Sequence, residues 1–126
     1  MFSPGTSAPQ DALRRASDDY LADALRLQTS ASPAGASSLA FQSGYFALLS
    51  AVNGEVQVAS DDHPNAEIVR EVASQLSLSR ADQTLADLGA RNYYEPTSLN
   101  FLASPQDWID WAERVRAAAG LPAGQR

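Results

Sequence analysis

The spacing of the apolar residues constrains this chain most: they recur at intervals of three and four over almost its whole length, with no convincing alternation at period two. The clearest segment runs from Ser104 to Pro122. Ser104-Pro105 with Asp107 three residues after the serine is a helix start, because the hydroxyl can accept from the amide three residues on and the carboxylate can return the bond. Trp108, Ile109, Trp111, Ala112, Val115 and Ala118 then build the densest apolar face of the chain, and Gly120-Leu121-Pro122 stops the helix.

Four further segments read the same way. Leu13, Ala16, Tyr20, Leu21, Ala24 and Leu25 form one stripe between Gln10 and Gln28, with Arg14, Arg15, Asp18, Asp19 and Asp23 on the other faces. Thr29 to Gly35 reads as a connection broken by Pro33, and a second helix is expected to begin at Ser37 or Ser38. There Phe41, Tyr45, Leu48, Leu49 and Val52, widened by Phe46 and Ala47, give the most apolar helix and hence the central one. Asn53-Gly54 is a turn signal, and Val56 and Val58 a brief extended piece. Asp61, Asp62 or His63 with Pro64 opens a third helix whose buried stripe is Ile68, Val69, Val72 and Leu76. Ser79 and Asp82 approximate a capping box for a fourth helix, in which Ala81, Leu85 and Leu88 are expected to face inward, Arg91 to sit one turn on, and Pro96 to end the run. The fold class is therefore all-α: a single-domain bundle of four long helices and a shorter fifth over residues 10–121. A loose N-terminal arm, rich in Pro, Ser and Gly, is expected over residues 1–9 and a frayed tail over 122–126.

A chain of 126 residues suits one core, and 44% hydrophobic with 19% charged residues is globular composition. The formal net charge of -6 opposes a general nucleic-acid surface, so any RNA or nucleotide contact must be local. With no cysteine, disulfides, thiolate zinc sites and cysteine nucleophiles are excluded and the redox compartment stays open. No apolar run reaches the roughly 18 residues a spanning helix needs, and the opening residues lack a secretory pattern, so a cytoplasmic location without membrane contact is the expectation. No phosphate loop, GxGxxG, HExxH or GxSxG motif is present, and no cofactor is expected.

Few residues suggest chemistry. Arg91, Asn92, Tyr93 and Tyr94 follow one another at a helix end, and on a helix Arg91 and Tyr94 share a face, where a planar cationic fork beside an aromatic hydroxyl suits a phosphate or a stacked base. The plainer reading is an arginine bonded to helix carbonyls beside tyrosines that fill the bundle end. His63, the only histidine, reads as a helix-entry residue more readily than as a base or metal ligand, since its neighbours Asp61 and Asp62 make a weak set for a transition metal. No metal is expected. Trp108 and Trp111, with Tyr45 and Phe46, read as core or dimer contacts more readily than as a clamp for a planar ligand.

These pieces, in order, resemble a HEPN domain. The aromatic second helix around Ser43-Gly44-Tyr45-Phe46, the histidine of Asp62-His63-Pro64, the Arg91-Asn92 helix end with its tyrosine and the amphipathic closing helix span roughly residues 10–119. The resemblance implies a helical bundle that pairs as a homodimer, with an arginine and a histidine of catalytic members meeting at the dimer groove. Here Pro96 stands where that histidine would be, and Thr97 and Ser98 cannot titrate near neutrality in its place. The expectation is therefore a non-catalytic binding or regulatory module, such as a partner in a toxin-antitoxin or nucleotidyltransferase pair. Arg91, Asn92, Tyr94 and His63 would line its candidate ligand or RNA groove. Two alternatives stand beside it: a divergent metal-independent RNase using Arg91, and a structural interaction domain whose acidic surface docks a basic protein partner.

Overall fold

Among the described residues, five helices with defined bounds follow one another in the computed structural model: α1 (Pro4–Gln28), α2 (Pro33–Ser50), α3 (Ala66–Gln75), α4 (Arg80–Arg91) and α5 (Pro105–Ala118). The structure describes residues 4–28, 33–51, 66–92, 99 and 102–121, and side chains in 11–28, 35–51, 69–92, 99 and 102–121; among the described residues there is no strand. The all-α bundle expected from periodicity is what forms. Among the described residues, no helix is long and apolar enough to cross a membrane.

The strongest start signal behaves as its chemistry requires. Ser104 Oγ accepts from the Asp107 amide at 3.1 Å and Asp107 Oδ2 accepts from the Ser104 amide at 3.2 Å, closing both halves of the capping box with Pro105 in the first turn. At the other end Gly120 takes φ 83°, its amide reaches Ala117 O at 3.1 Å, and the Leu121 amide reaches Arg116 O at 2.9 Å. That pattern places Leu121, which is buried, back against the bundle. Helix α3 ends in the same way with Ser77 where the glycine should be: φ is 60°, the Ser77 amide bonds Ser74 O, and the Leu78 amide bonds Ala73 O.

Two helix starts and one helix end differ from expectation. Helix α1 begins at Pro4, not Gln10, so residues 4–9 are helical and not part of a loose arm. Proline fits the first turn, where no amide partner exists to lose. Helix α2 likewise starts on Pro33 itself, the residue read as a breaker, which leaves Ser37 inside the helix and buried. Helix α4 ends at Arg91 with Asn92 as its cap, short of Pro96.

Helix α2 packs against α1 and α5 most extensively and also meets α3 and α4, while α3 and α4 pair with each other. It carries no broad polar face, and Ala40, Phe41, Ser43, Tyr45, Ala47, Leu48 and Leu49 are all buried. Phe41 stacks on Trp111 (centroids 5.5 Å, 11° between planes) and meets Trp108 edge-on at 5.9 Å; the two indoles meet edge to face at 5.5 Å. Both indole N–H groups find carbonyl partners, Trp108 Nε1 at Leu99 O (2.8 Å) and Trp111 Nε1 at Asp82 O (3.0 Å).

Helices α1, α2 and α5 are also tied by a buried polar knot. Ser17 Oγ donates to Ser43 O and Ser43 Oγ donates to Ser17 O, each at 2.7 Å. Arg116, 2% exposed, donates from Nη1 to Ser17 Oγ at 2.8 Å and pairs through Nη2 with Asp18 Oδ1 at 2.6 Å. A guanidinium so enclosed is tolerated because Nη1 and Nη2 each meet an acceptor, while the buried Nε donates to none.

Candidate binding cleft between α4 and α5

Helix α4 was expected to bury Ala81, Leu85 and Leu88; instead Asp82, Ala86, Gly89 and Ala90 face the core. The helix is turned by about one residue, roughly 100°. The cause is the space beneath it. An ideal Cβ on Gly89 would lie 2.4 Å from Phe41 Cδ1 and 2.5 Å from Cε1, so only a face of glycine and alanine lets α4 approach the Phe41 ring.

The leucine stripe is left as the wall of an open cleft of about 520 Å³ between α4 and α5. Ala81, Thr84, Leu85 and Leu88 form one side, Leu102 and Ala103 the end, and Asp107, Asp110 and Arg114 of α5 the other side. Ala81 is exposed, Leu85 and Leu88 are half-buried, and Leu102, at 38%, is the one large apolar side chain counted as exposed among the described residues. The volume lies within the ordinary range of ligand pockets, roughly 300–1,000 Å³.

The charged wall is held in place by specific bonds. Arg114 grips Asp82 across the helix pair, Nη2 to Oδ1 at 2.8 Å and Nε to Oδ2 at 3.0 Å, while the Asp82 backbone carbonyl takes the Trp111 indole N–H. Residues 111 and 114 are three apart on α5, so one turn of that helix fixes one residue of α4 twice. The hydrogen bond to Asp82 raises the Arg114 pKa above its already high ordinary value, against a smaller opposing effect of burial, so the guanidinium stays charged. The Arg114 charge is thus answered by Asp82, which leaves Asp107 and Asp110 to set the sign of the rim. Asp107 closes the α5 cap and Asp110 Oδ1 accepts from Gln106 Nε2 at 2.8 Å.

The residues read from sequence as a groove are not brought together here. Arg91 is exposed on the outer side of α4, its Nε bonded to Asp87 Oδ2 at 3.0 Å, one helical turn earlier. Asn92 closes the helix, its backbone amide at 3.0 Å and its Nδ2 at 2.8 Å from Leu88 O. Tyr93, Tyr94 and His63 lie outside the described residues, as do Asp61, Asp62, Pro64 and Pro96. Trp108, Trp111 and Tyr45 are buried in the core, and Phe46 is half-buried and stacked on Tyr20 at 5.4 Å. No three His, Cys, Asp or Glu side chains among the described residues are grouped to hold a metal ion.

No family model, curated protein or solved structure matches the chain. The cleft was missed because inward and outward apolar stripes look alike in sequence. The one available signal was that Ala86, Gly89 and Ala90 make a second, smaller stripe on the neighbouring face. Arg116 was missed too, although it falls four residues after Ala112 and seven after Ile109, on the buried side of α5.

Proposed function

We propose that the chain is a non-catalytic, HEPN-like binding module whose docking surface is the α4–α5 cleft and whose partner is a basic, amphipathic protein segment. The observation that carries this reading is the stripe of half-buried Leu85 and Leu88 with exposed Leu102 beside Asp107 and Asp110. An amphipathic helix presents what such a groove accepts, apolar anchors at helical spacing with cations along their flank. The acidic rim and the net charge of -6 favour encounter with a cationic partner and disfavour an anionic one. The Asp82–Arg114 and Asp82–Trp111 bonds support it further, because they hold the two walls at a fixed spacing before any partner arrives.

A homodimer stands on the HEPN resemblance alone, since Tyr45, Trp108 and Trp111, which were also available as dimer aromatics, are buried within one chain. The structural interaction domain docking a basic partner, an alternative at the outset, merges with this reading. The divergent RNase has no observation in its favour.

The test is titration with a synthetic amphipathic helix carrying leucines on one face and lysines at its flanks, followed by NMR at assigned amides. Shifts confined to Leu85, Leu88, Leu102, Ala103 and Asp110 are expected. Leu102→Ala should weaken binding about fivefold, the worth of burying its exposed fraction, and Asp110→Lys should weaken it further. Equal binding of a glutamate-flanked peptide, or shifts centred on α1, would overturn the proposal.

A further inference from the structure

On its other flank, α4 borders a second cleft of about 260 Å³ against α3, lined by Arg70, Arg80, Gln83, Thr84, Asp87 and Leu88. Its charge is opposite in sign to that of the protein. Arg70 and Arg80 are both exposed, and neither takes part in an ion pair among the described residues, whereas Arg26, Arg91, Arg114 and Arg116 do. Asp87 is the one carboxylate in the lining, and its charge is answered from outside the cleft by Arg91, bonded to Oδ2. The balance over Arg70, Arg80, Arg91 and Asp87 is thus two positive charges on a chain whose net charge is -6.

We infer that this cleft is a separate anion site that takes a phosphate monoester, with Arg70 and Arg80 gripping the phosphate from two helices. Arginine suits that group, because its planar fork meets two oxygens at once, and the Thr84 hydroxyl adds a neutral donor on the same wall. Gln83 serves the wall and not the ligand: its Nε2 already donates to Leu78 O at 2.8 Å, bracing the α3–α4 connection. The volume falls just below the ordinary ligand range, which selects a headgroup over a large cofactor. The cap of α4 contributes little, since Ser79 Oγ already accepts from the Asp82 amide and Asp82 places a carboxylate in that first turn. This inference does not depend on the cleft across α4 binding a peptide; the two sites share only Thr84 and Leu88.

Calorimetric titration with inorganic phosphate, adenosine monophosphate and adenosine separates the outcomes. At an ionic strength of about 20 mM, where screening is weak, both phosphates should saturate the protein with affinities of about 1 mM, and neutral adenosine should not bind. Arg70→Gln and Arg80→Gln should each weaken phosphate binding roughly tenfold, with circular dichroism unchanged because both side chains are exposed. Asp87→Asn, which removes the opposing charge, should tighten it. Arg14→Gln/Arg15→Gln, two exposed cations on α1, should leave it unchanged. Adenosine binding as well as its monophosphate, a loss in the α1 control equal to that at Arg70, or no approach to saturation by about 5 mM phosphate would each overturn the site.

Discussion

Replacing Gly44 by alanine sets two effects against each other and lets their sizes decide. In an open helix the change stabilises, because glycine costs about 1 kcal/mol relative to alanine in a helix interior. Here the new Cβ would lie 2.3 Å from Trp111 Cζ3 and 2.7 Å from Cη2, whereas ordinary contact begins at 3.4 Å. The indole must retreat by about 1 Å, and it is restrained on every side: its N–H bonds Asp82 O, its face stacks on Phe41, and its edge meets Trp108. Inserting a methyl into so fixed a place costs typically 1–3 kcal/mol, occasionally more, and the upper end applies when the neighbour is a locked ring.

The net expectation is a loss of about 2 kcal/mol, or roughly 8 °C in melting temperature for a domain of this size. Urea unfolding followed by far-ultraviolet circular dichroism measures it, with Ala12→Gly on the exposed face of α1 calibrating the propensity effect alone. Trp111→Phe removes part of the obstructing ring, so the double variant Gly44→Ala/Trp111→Phe should be less destabilised than the sum of the singles by about 1 kcal/mol. A Gly44→Ala protein as stable as its parent, or strict additivity in the cycle, would refute the claim that this close approach sets the spacing of α2 and α5.

Three other perturbations follow from the bonds described. Arg116→Ala removes the cation joining α1 and α5 and leaves a buried void beside Ser17, and should cost about 2–4 kcal/mol by denaturant titration. Ser77→Gly relieves a left-handed backbone at φ 60° and should raise stability by about 1 kcal/mol, seen as a higher urea midpoint at unchanged slope. The raised pKa of Arg114 means its contribution to stability is fully present below the unfolded-state value and is lost only as pH climbs through the still higher folded one. Stability measured from pH 6 to 9 should therefore differ between the parent and Arg114→Met by a constant offset of about 1–3 kcal/mol, since the substitution leaves the buried Asp82 without its charged partner.

Legibility in the sequence divided along a physical line. Signals carried by backbone chemistry were readable: the Ser104-Pro105-Asp107 start needs only three adjacent residues, and the Gly120 stop needs only one residue free to adopt positive φ. The all-helical class was readable because a period near 3.6 is a property of each segment by itself. Prolines were misread at Pro4 and Pro33, where the same ring that breaks a helix interior suits a first turn, and only the neighbouring structure says which applies. The ion pair of Asp82 and Arg114 and the knot of Ser17, Ser43 and Arg116 span 26 to 99 residues of sequence and left no local trace.

The facing of α4 lies on the same boundary and bears most on function. An amphipathic helix announces that it has an apolar side, and the ordinary inference sends the larger side chains inward. That inference assumes the core has room for them. Phe41 and Trp111 already fill the space, each with a ring against a glycine of another helix, Gly89 and Gly44. Against such rings only Ala86, Gly89 and Ala90 can pack, and the leucines must turn outward. Trp111, which sequence reading assigned to a core or dimer contact, and Phe41, which it placed on the apolar face of the central helix, therefore do more than occupy volume. By pressing on glycines they set how closely α4 and α2 approach, and by that spacing they open the cleft on the far side of α4. Enlarging Gly89 should thus push α4 away from Phe41 and alter the cleft between Leu85 and Asp110, although residue 89 lines neither of its walls.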